Sequence, residues 1–256
     1  MNKKNIGISY CITVCDELSE LTKLTNFLHP QVREDDELLI QYDSNKVSDS
    51  VMGFLQVFEK MHDNVKITGY SLNGDFGKFK SNLREHSSKE FIFQIDADEI
   101  PNQYLIQGLP QILNGNSEID MFFVPRINTV DGLTEKHVKK WGWKVQKFES
   151  QKNTKKIDAN SDEYKYLDKL GYITKVEAND DEDEIEITYF VPIINFPDYQ
   201  TRLYRNTPEV EWLGKVHEKI TGYDSFTALP AEEQYCLYHP KDIDKQEKQN
   251  NFYEKI

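Results

Sequence analysis

Over the first 125 residues, apolar positions switch repeatedly between two periods. Residues 6–15 alternate, with Ile6, Ile8, Tyr10, Ile12 and Val14 on one face, as in a strand with one side buried. Helical spacing follows at Leu18, Leu21, Leu24 and Leu28, with Asp16 as the expected cap and Pro30 as the stop. "ELLIQYD" (37–43) predicts a second strand, and Val47, Val51, Phe54, Leu55 and Phe58 an amphipathic helix. "NVKITGY" predicts a third strand and residues 76–86 a helix. "FIFQI" is the fourth strand, Pro101 is expected to open a helix to about Leu113, and "DMFFVPR" is the fifth strand.

Near residue 126 the alternation stops. Residues 135–190 hold charged blocks, "WGW" (141–143) and "YKYLDKLGYITK", which suggest an inserted hairpin or helix pair. Order returns with "YFVPIINFPDYQTRLYRN", where Asp198 and Arg202 are expected on a helix, and with "VEWLGKVHEKITGY". The tail, "KDIDKQEKQNNFYEKI", reads as a polar helix.

Strand–helix alternation predicts a mostly parallel α/β sheet flanked by helices, which binds ligands outside the carboxyl ends of its strands. Asp16, Asp43 and the cluster Asp96, Asp98 and Glu99 fall at such ends. Close-set carboxylates repel one another, so the cluster predicts a cation. Two further triplets, Asp181-Glu182-Asp183 and Asp242-Ile243-Asp244, lack an apolar strand ahead of them.

Composition narrows the classes. With 256 residues, 38% hydrophobic and 12% aromatic, the chain can build a core, so global disorder is excluded. No apolar run approaches the roughly 20 residues of a membrane span. The N-terminal run reads as a core strand rather than a signal peptide, and a cytoplasmic location is expected. Cys11 and Cys15 would lie about 13 Å apart on a strand, beyond the roughly 7 Å reach of a disulfide, so reduced thiols are expected. A net charge of −13 argues against a nonspecific nucleic-acid coat protein. The charge is uneven: residues 135–156 hold eight lysines against two glutamates, and residues 177–186 hold seven acids and no base.

Four stretches together resemble the metal-dependent nucleotide-sugar glycosyltransferases of the GT-A fold, family 2 type: "ISYCITVCDE", "LLIQYDSN", "DFGKFKSNLREHSSKEFIFQIDADE" and "NFPDYQTRLYRN…WLGKVHEKI". "IDADE" paired with the later "VHE" is the most specific part. The likeness covers residues 6–125 and 191–239, and the combination is also similar to compact members encoded by tailed phages. It implies one GT-A domain over 1–256, with a nucleotide-sugar half at about 1–125, an insertion at about 135–190 and an acceptor and metal-completing half at about 191–256.

The resemblance also implies roles. Asp98 and His217 would hold Mn²⁺ or Mg²⁺ against the diphosphate of the donor. Asp96 would hold the ribose or a metal-bound water, Asp43 the nucleotide base, and Asp16 with Glu17 would lie near the ribose. Lys80 stands where the family usually has an arginine, either as a point charge for the diphosphate or as a solvated helix lysine. An inverting transfer needs a general base, for which Asp198 is the first choice and Glu218 the second. Trp141, Trp143, Tyr199 and Trp212 are candidates for stacking on a sugar or base and equally for core packing.

Two rivals share the acids: a metal-dependent phosphohydrolase and a non-catalytic sugar-binding module. The haloacid-type phosphohydrolases carry Asp-x-Asp after the first strand, whereas here it follows the fourth. For the acceptor, a glycan hydroxyl is slightly favoured over a hydroxymethylated pyrimidine of phage DNA, because the net charge repels DNA while the lysine block attracts it. No obligate protein partner is evident.

Overall fold

The computed structural model describes residues 5–178 and 184–253. In chain order the elements are β1 (Ile8–Val14), α1 (Leu18–Leu28), β2 (Glu37–Asp43), α2 (Asp49–Met61), β3 (Val65–Tyr70), α3 (Phe76–Glu85), β4 (Phe91–Asp96), β5 (Ile100–Pro101), α4 (Gln103–Gly115) and β6 (Met121–Asp131). Then come α5 (Glu135–Trp141), β7 (Val145–Gln146), β8 (Lys152–Ile157), α6 (Asp162–Lys169), β9 (Ile173–Ala178), β10 (Ile185–Phe190) and β11 (Ile193–Arg205). The last are β12 (Glu211–Leu213), β13 (Lys219–Thr221), β14 (Phe226–Ala228), β15 (Leu237–Asp242) and α7 (Ile243–Tyr253). The chain forms two compact units: residues up to Pro125 with Tyr199–Leu237, and Arg126–Asp198 with the residues from Tyr238 on.

The first unit is the expected α/β layer structure. β1 runs parallel to β2 and β4, and β2 parallel to β3. The sheet order is β3-β2-β1-β4-β11-β6, with β11 antiparallel to β4 through Leu203–Arg205. Alternation decides what each face buries. Ile8, Tyr10, Ile12 and Val14 of β1 pack with Leu38, Ile40, Phe91, Phe93 and Ile95 under α1, α2 and α4. On the opposite face Cys11, Leu39 and Ile92 meet Leu83 of α3, Tyr204 and Trp212. That second face turns polar toward the carboxyl edge, where Thr13 stands beside Gln41 and Asp96 in register. The polarity is what makes this edge a place for chemistry.

The helix starts follow side-chain capping. Asp75 accepts from the Lys78 amide and opens α3, and Asn102 accepts from the Tyr104 amide and opens α4. Two expected starts are corrected here. Pro101 belongs to β5, because Asn102 supplies the cap one residue later. Asp16 does not cap α1 with its side chain; instead the Glu17 carboxylate folds back to accept from the Cys15 and Asp16 amides. The three cysteines carry no disulfide.

In the second unit the consecutive strands β9 and β10 pair antiparallel, β8 joins them to make a three-stranded sheet, β8-β10-β9, and the two short helices α5 and α6 accompany it. Ile157, Leu167, Tyr172, Ile187, Tyr189 and Phe190 form its core. Trp141 and Trp143 pack against each other, 4.5 Å between ring centres, beside a cluster that includes Val130, Ile194 and Ile243. The acidic triplet Asp181-Glu182-Asp183 lies outside the described residues. At least five of the eight block lysines (Lys136, Lys139, Lys140, Lys147 and Lys155) are paired with carboxylates of the same unit.

Asp198 corrects a further expectation. It sits in the middle of the 13-residue strand β11, not on a helix. From Asn195 to Gln200 exposed and half-buried residues alternate, a period of two that matches a strand and not a helical turn. No helix among the described residues is long and apolar enough to cross a membrane.

Candidate active site

In the first unit the carboxyl ends of β1, β2 and β4 converge as expected. Asp96, the last residue of β4, is held from three sides. Thr13 Oγ1 donates to its Oδ1 at 2.9 Å, Lys80 Nζ lies 3.0 Å from the same oxygen, and the Arg202 guanidinium pairs with Oδ2. Arg202 Nη2 also donates to Glu99 Oε1 at 2.7 Å, and Glu99 Oε2 accepts from the Asp96 amide. Glu99 is fully buried and Arg202 nearly so. Burial pushes the Asp96 carboxyl up, but the charges of Arg202 and Lys80 and hydrogen bonds from Lys80 and Thr13 outweigh it, holding the group well below the usual carboxylate range.

This geometry corrects the sequence argument for the acidic cluster. Asp96 and Glu99 already have their cations, supplied by the protein's own Arg202 and Lys80. Only Asp98 of the three is exposed. The one local sign of a buried Arg202 is that it directly precedes the core residues Leu203 and Tyr204.

Lys80 is 3% exposed, so the solvated-lysine reading is overturned. Its ammonium bridges Asp96 to Glu218, 2.8 Å away, and lies 5.0 Å from the centre of the Trp212 ring. Trp212 is thereby a packing residue, 3% exposed, with its indole N–H donating to Tyr204 Oη.

The "WLGKVHE" segment is fastened to the start of α3. The Phe76 and Gly77 amides, otherwise orphaned at a helix N-terminus, donate to the carbonyls of Lys215 and Gly214 at 3.0 Å each. A Cβ at position 77 would stand 2.8 Å from the Gly214 carbonyl oxygen, so glycine is what permits this approach. Ser81 adds a bond from the Trp212 amide to its hydroxyl. Within the segment His217 is exposed and holds φ at +54°, a left-handed conformation that costs a non-glycine residue about 1–3 kcal/mol and collects at functional sites.

Asp43 ends β2 almost fully buried. Its Oδ1 accepts from the Asn45 and Leu72 amides at 3.1 and 3.2 Å, while buried Oδ2 has no hydrogen-bond partner among the described residues. Asp16 is exposed and Glu17 half-buried at the end of β1.

Asp198 belongs to the second unit. Its Oδ2 accepts from Arg126 Nε (3.0 Å), Arg126 Nη2 (2.7 Å) and Asn128 Nδ2 (2.8 Å), and Asn128 Oδ1 meets His239 Nδ1 at 2.9 Å. None of these partners was foreseen, because Arg126 and Asn128 on β6 and His239 on β15 lie far from Asp198 along the chain.

Among the described residues no three acids, histidines or cysteines form a ready metal cage. A cage is not needed for a divalent ion held by one or two protein ligands and the phosphates of a substrate. Exposed Asp98 offers the hard carboxylate oxygen that Mn²⁺ or Mg²⁺ prefers, whereas the imidazole of exposed His217 is a softer donor. Asp96, bound on both oxygens, does not fit a direct ligand.

Among solved structures, S. aureus TarS 1–349 in complex with UDP-GlcNAc matches with a TM-score of 0.55 and 12% identity, over 92% of this chain and 59% of that one. The fold is the expected GT-A-like one. The same TarS fragment in complex with UDP matches at 0.54, over 92% of this chain and 61% of that one. This chain therefore spans about three fifths of the TarS fragment. No family model and no curated protein matches it.

Proposed function

We propose that the protein is a metal-dependent, inverting glycosyltransferase that moves a sugar from a UDP-sugar to a glycan hydroxyl. The observation that carries the reading is Asp43 Oδ2, a buried carboxylate oxygen left without a donor at the ligand-binding edge of this fold. An unsatisfied buried acceptor is costly, and the imide N–H of a uracil would satisfy it. The UDP-GlcNAc held by TarS, on the same fold, supports the choice of nucleotide.

Asp98, with His217 as second ligand, would hold a Mn²⁺ or Mg²⁺ ion whose charge offsets that of the diphosphate leaving group. Asp16 and Glu17 line the ribose side. Lys80, already shared between Asp96 and Glu218, fixes the spacing of the β4 end and the "VHE" segment, and contributes positive potential at the diphosphate. Asp198 takes the proton of the attacking hydroxyl, oriented for this by Arg126 and Asn128. Glu218, whose Oε1 meets Lys80, is the second choice. The net charge of −13 supports a glycan acceptor over DNA.

The test is a panel of nucleotide sugars with Mn²⁺ and no acceptor. Slow hydrolysis of a UDP-sugar is expected, and Asp43→Ala should raise its KM about tenfold or more, the loss expected for a hydrogen bond to a charged group. Cleavage of a generic phosphoester instead, with no nucleotide sugar touched, would make the protein a phosphohydrolase. Asp198→Asn keeps the shape but cannot accept the proton, so transfer to acceptor should fall by about 10²-fold or more while donor KM hardly changes. If Glu218→Gln gives that pattern and Asp198→Asn stays active, the two roles are exchanged.

A further inference from the structure

The second unit contains a cleft of about 310 Å³ where α5 and α6 lie side by side. Lys136 and Lys139 line it from α5, and Lys165 and Lys169 from α6, against only two carboxylates, Glu135 and Asp162. Tyr166, 7% exposed, is the only buried side chain in the lining. A chain of net charge −13 thus gathers a local excess of two positive charges in one concavity.

The pairing is frugal in carboxylates. Glu135 serves two ammonium groups, Lys139 at 2.8 Å and Lys169 at 2.9 Å. Hydrogen bonds from these two lysines pull its carboxyl down to about 2. Asp162 answers Lys136 at 2.7 Å, and Lys165 donates to a neutral carbonyl, that of Asn160, at 2.5 Å. Asp162 thus faces both Lys136 and Lys165, as Glu135 faces both Lys139 and Lys169, and lysines that share a counter-ion keep donors and charge for an incoming anion.

We propose that this cleft binds the phosphate of a phosphorylated saccharide. Its volume is at the low end of ligand pockets, roughly 300 to 1,000 Å³, and suits one sugar phosphate better than a long segment of polymer. Two excess positive charges match a phosphate monoester dianion, with the sugar ring against Tyr166. The choice of a saccharide rests on the glycosyltransferase reading above; the choice of an anion rests on the cleft alone.

The experiment titrates the full chain with glucose 6-phosphate, inorganic phosphate, glucose and a short DNA duplex, following binding by calorimetry at two salt concentrations. Saturable binding of glucose 6-phosphate, weaker for inorganic phosphate, absent for glucose and weakened by salt, is expected. Lys139→Gln with Lys169→Gln should weaken it about tenfold, the loss expected for charge-assisted hydrogen bonds. Glu135→Gln should tighten it about threefold or more, because two ammonium groups lose their shared competitor. Misfolding cannot produce that gain. Donor hydrolysis should be unchanged in these variants, so loss of hydrolysis in the unaltered protein would sink the glycosyltransferase reading without touching this one. Glucose binding as well as its phosphate, inorganic phosphate binding as tightly as the sugar phosphate, weaker binding in Glu135→Gln, or duplex DNA displacing the sugar phosphate would each overturn the proposal.

Discussion

Arg202→Leu is expected to destabilise the protein by about 3–5 kcal/mol, the cost of removing one partner from a buried ion pair. That is a large share of the roughly 5–15 kcal/mol that holds a typical domain together. Arg202 answers both Asp96 and Glu99, and Glu99 is fully buried. Adding Glu99→Leu removes the orphaned charge and should return part of the loss. Urea unfolding of the two variants beside the parent measures both effects, and a change under about 1 kcal/mol for Arg202→Leu would show that the ion-pair geometry is wrong. The same cluster fixes a pH dependence. Asp96 is held below its ordinary value near 4, so its contribution is complete above about pH 4 and is lost as pH falls through the depressed folded value. In Arg202→Leu that acid limb should flatten.

Asp98→Ala is expected to lower sugar transfer on the order of 10³-fold, since it removes the exposed carboxylate proposed to hold the divalent ion, and such ions supply several kcal/mol of charge stabilisation. Asp98 is exposed, so the variant should remain folded. Excess EDTA should mimic the variant on the parent protein and change nothing further in Asp98→Ala. Full activity in EDTA would remove the metal from the mechanism.

The parallel layer structure was legible because its signals are local. Period-two runs at 6–15 and 37–43 and leucine spacing at 18–28 each report a buried face that the strand or helix carries by itself. The acids at the strand ends could be placed for the same reason, since a strand's direction fixes its carboxyl edge. What stayed hidden is set by partners distant along the chain. Asp96 and Glu99 looked like an open cation site until Arg202, over a hundred residues away, was placed against them. Lys80 looked like either a donor contact or a solvated side chain, and its burial depends on Trp212 and Glu218. Asp198 was expected on a helix with Arg202, yet the alternation of exposed and half-buried residues along β11 is that of a strand. The charged block 135–190 hid a small sheet because its strands β8 and β9 are mostly exposed and carry few apolar residues to mark them.

The first unit is built from two separated stretches of sequence, and β11 takes its place beside β4 only through Leu203–Arg205. During synthesis, at roughly 5–20 residues per second, β1 to β4 leave the ribosome several seconds before that strand exists. In that interval Asp96 has Lys80, but Glu99 has no guanidinium to bury against. Burying Glu99 before residue 202 emerges would leave a charge unpaired, so the carboxyl edge of the half-made sheet is cheaper kept wet until then.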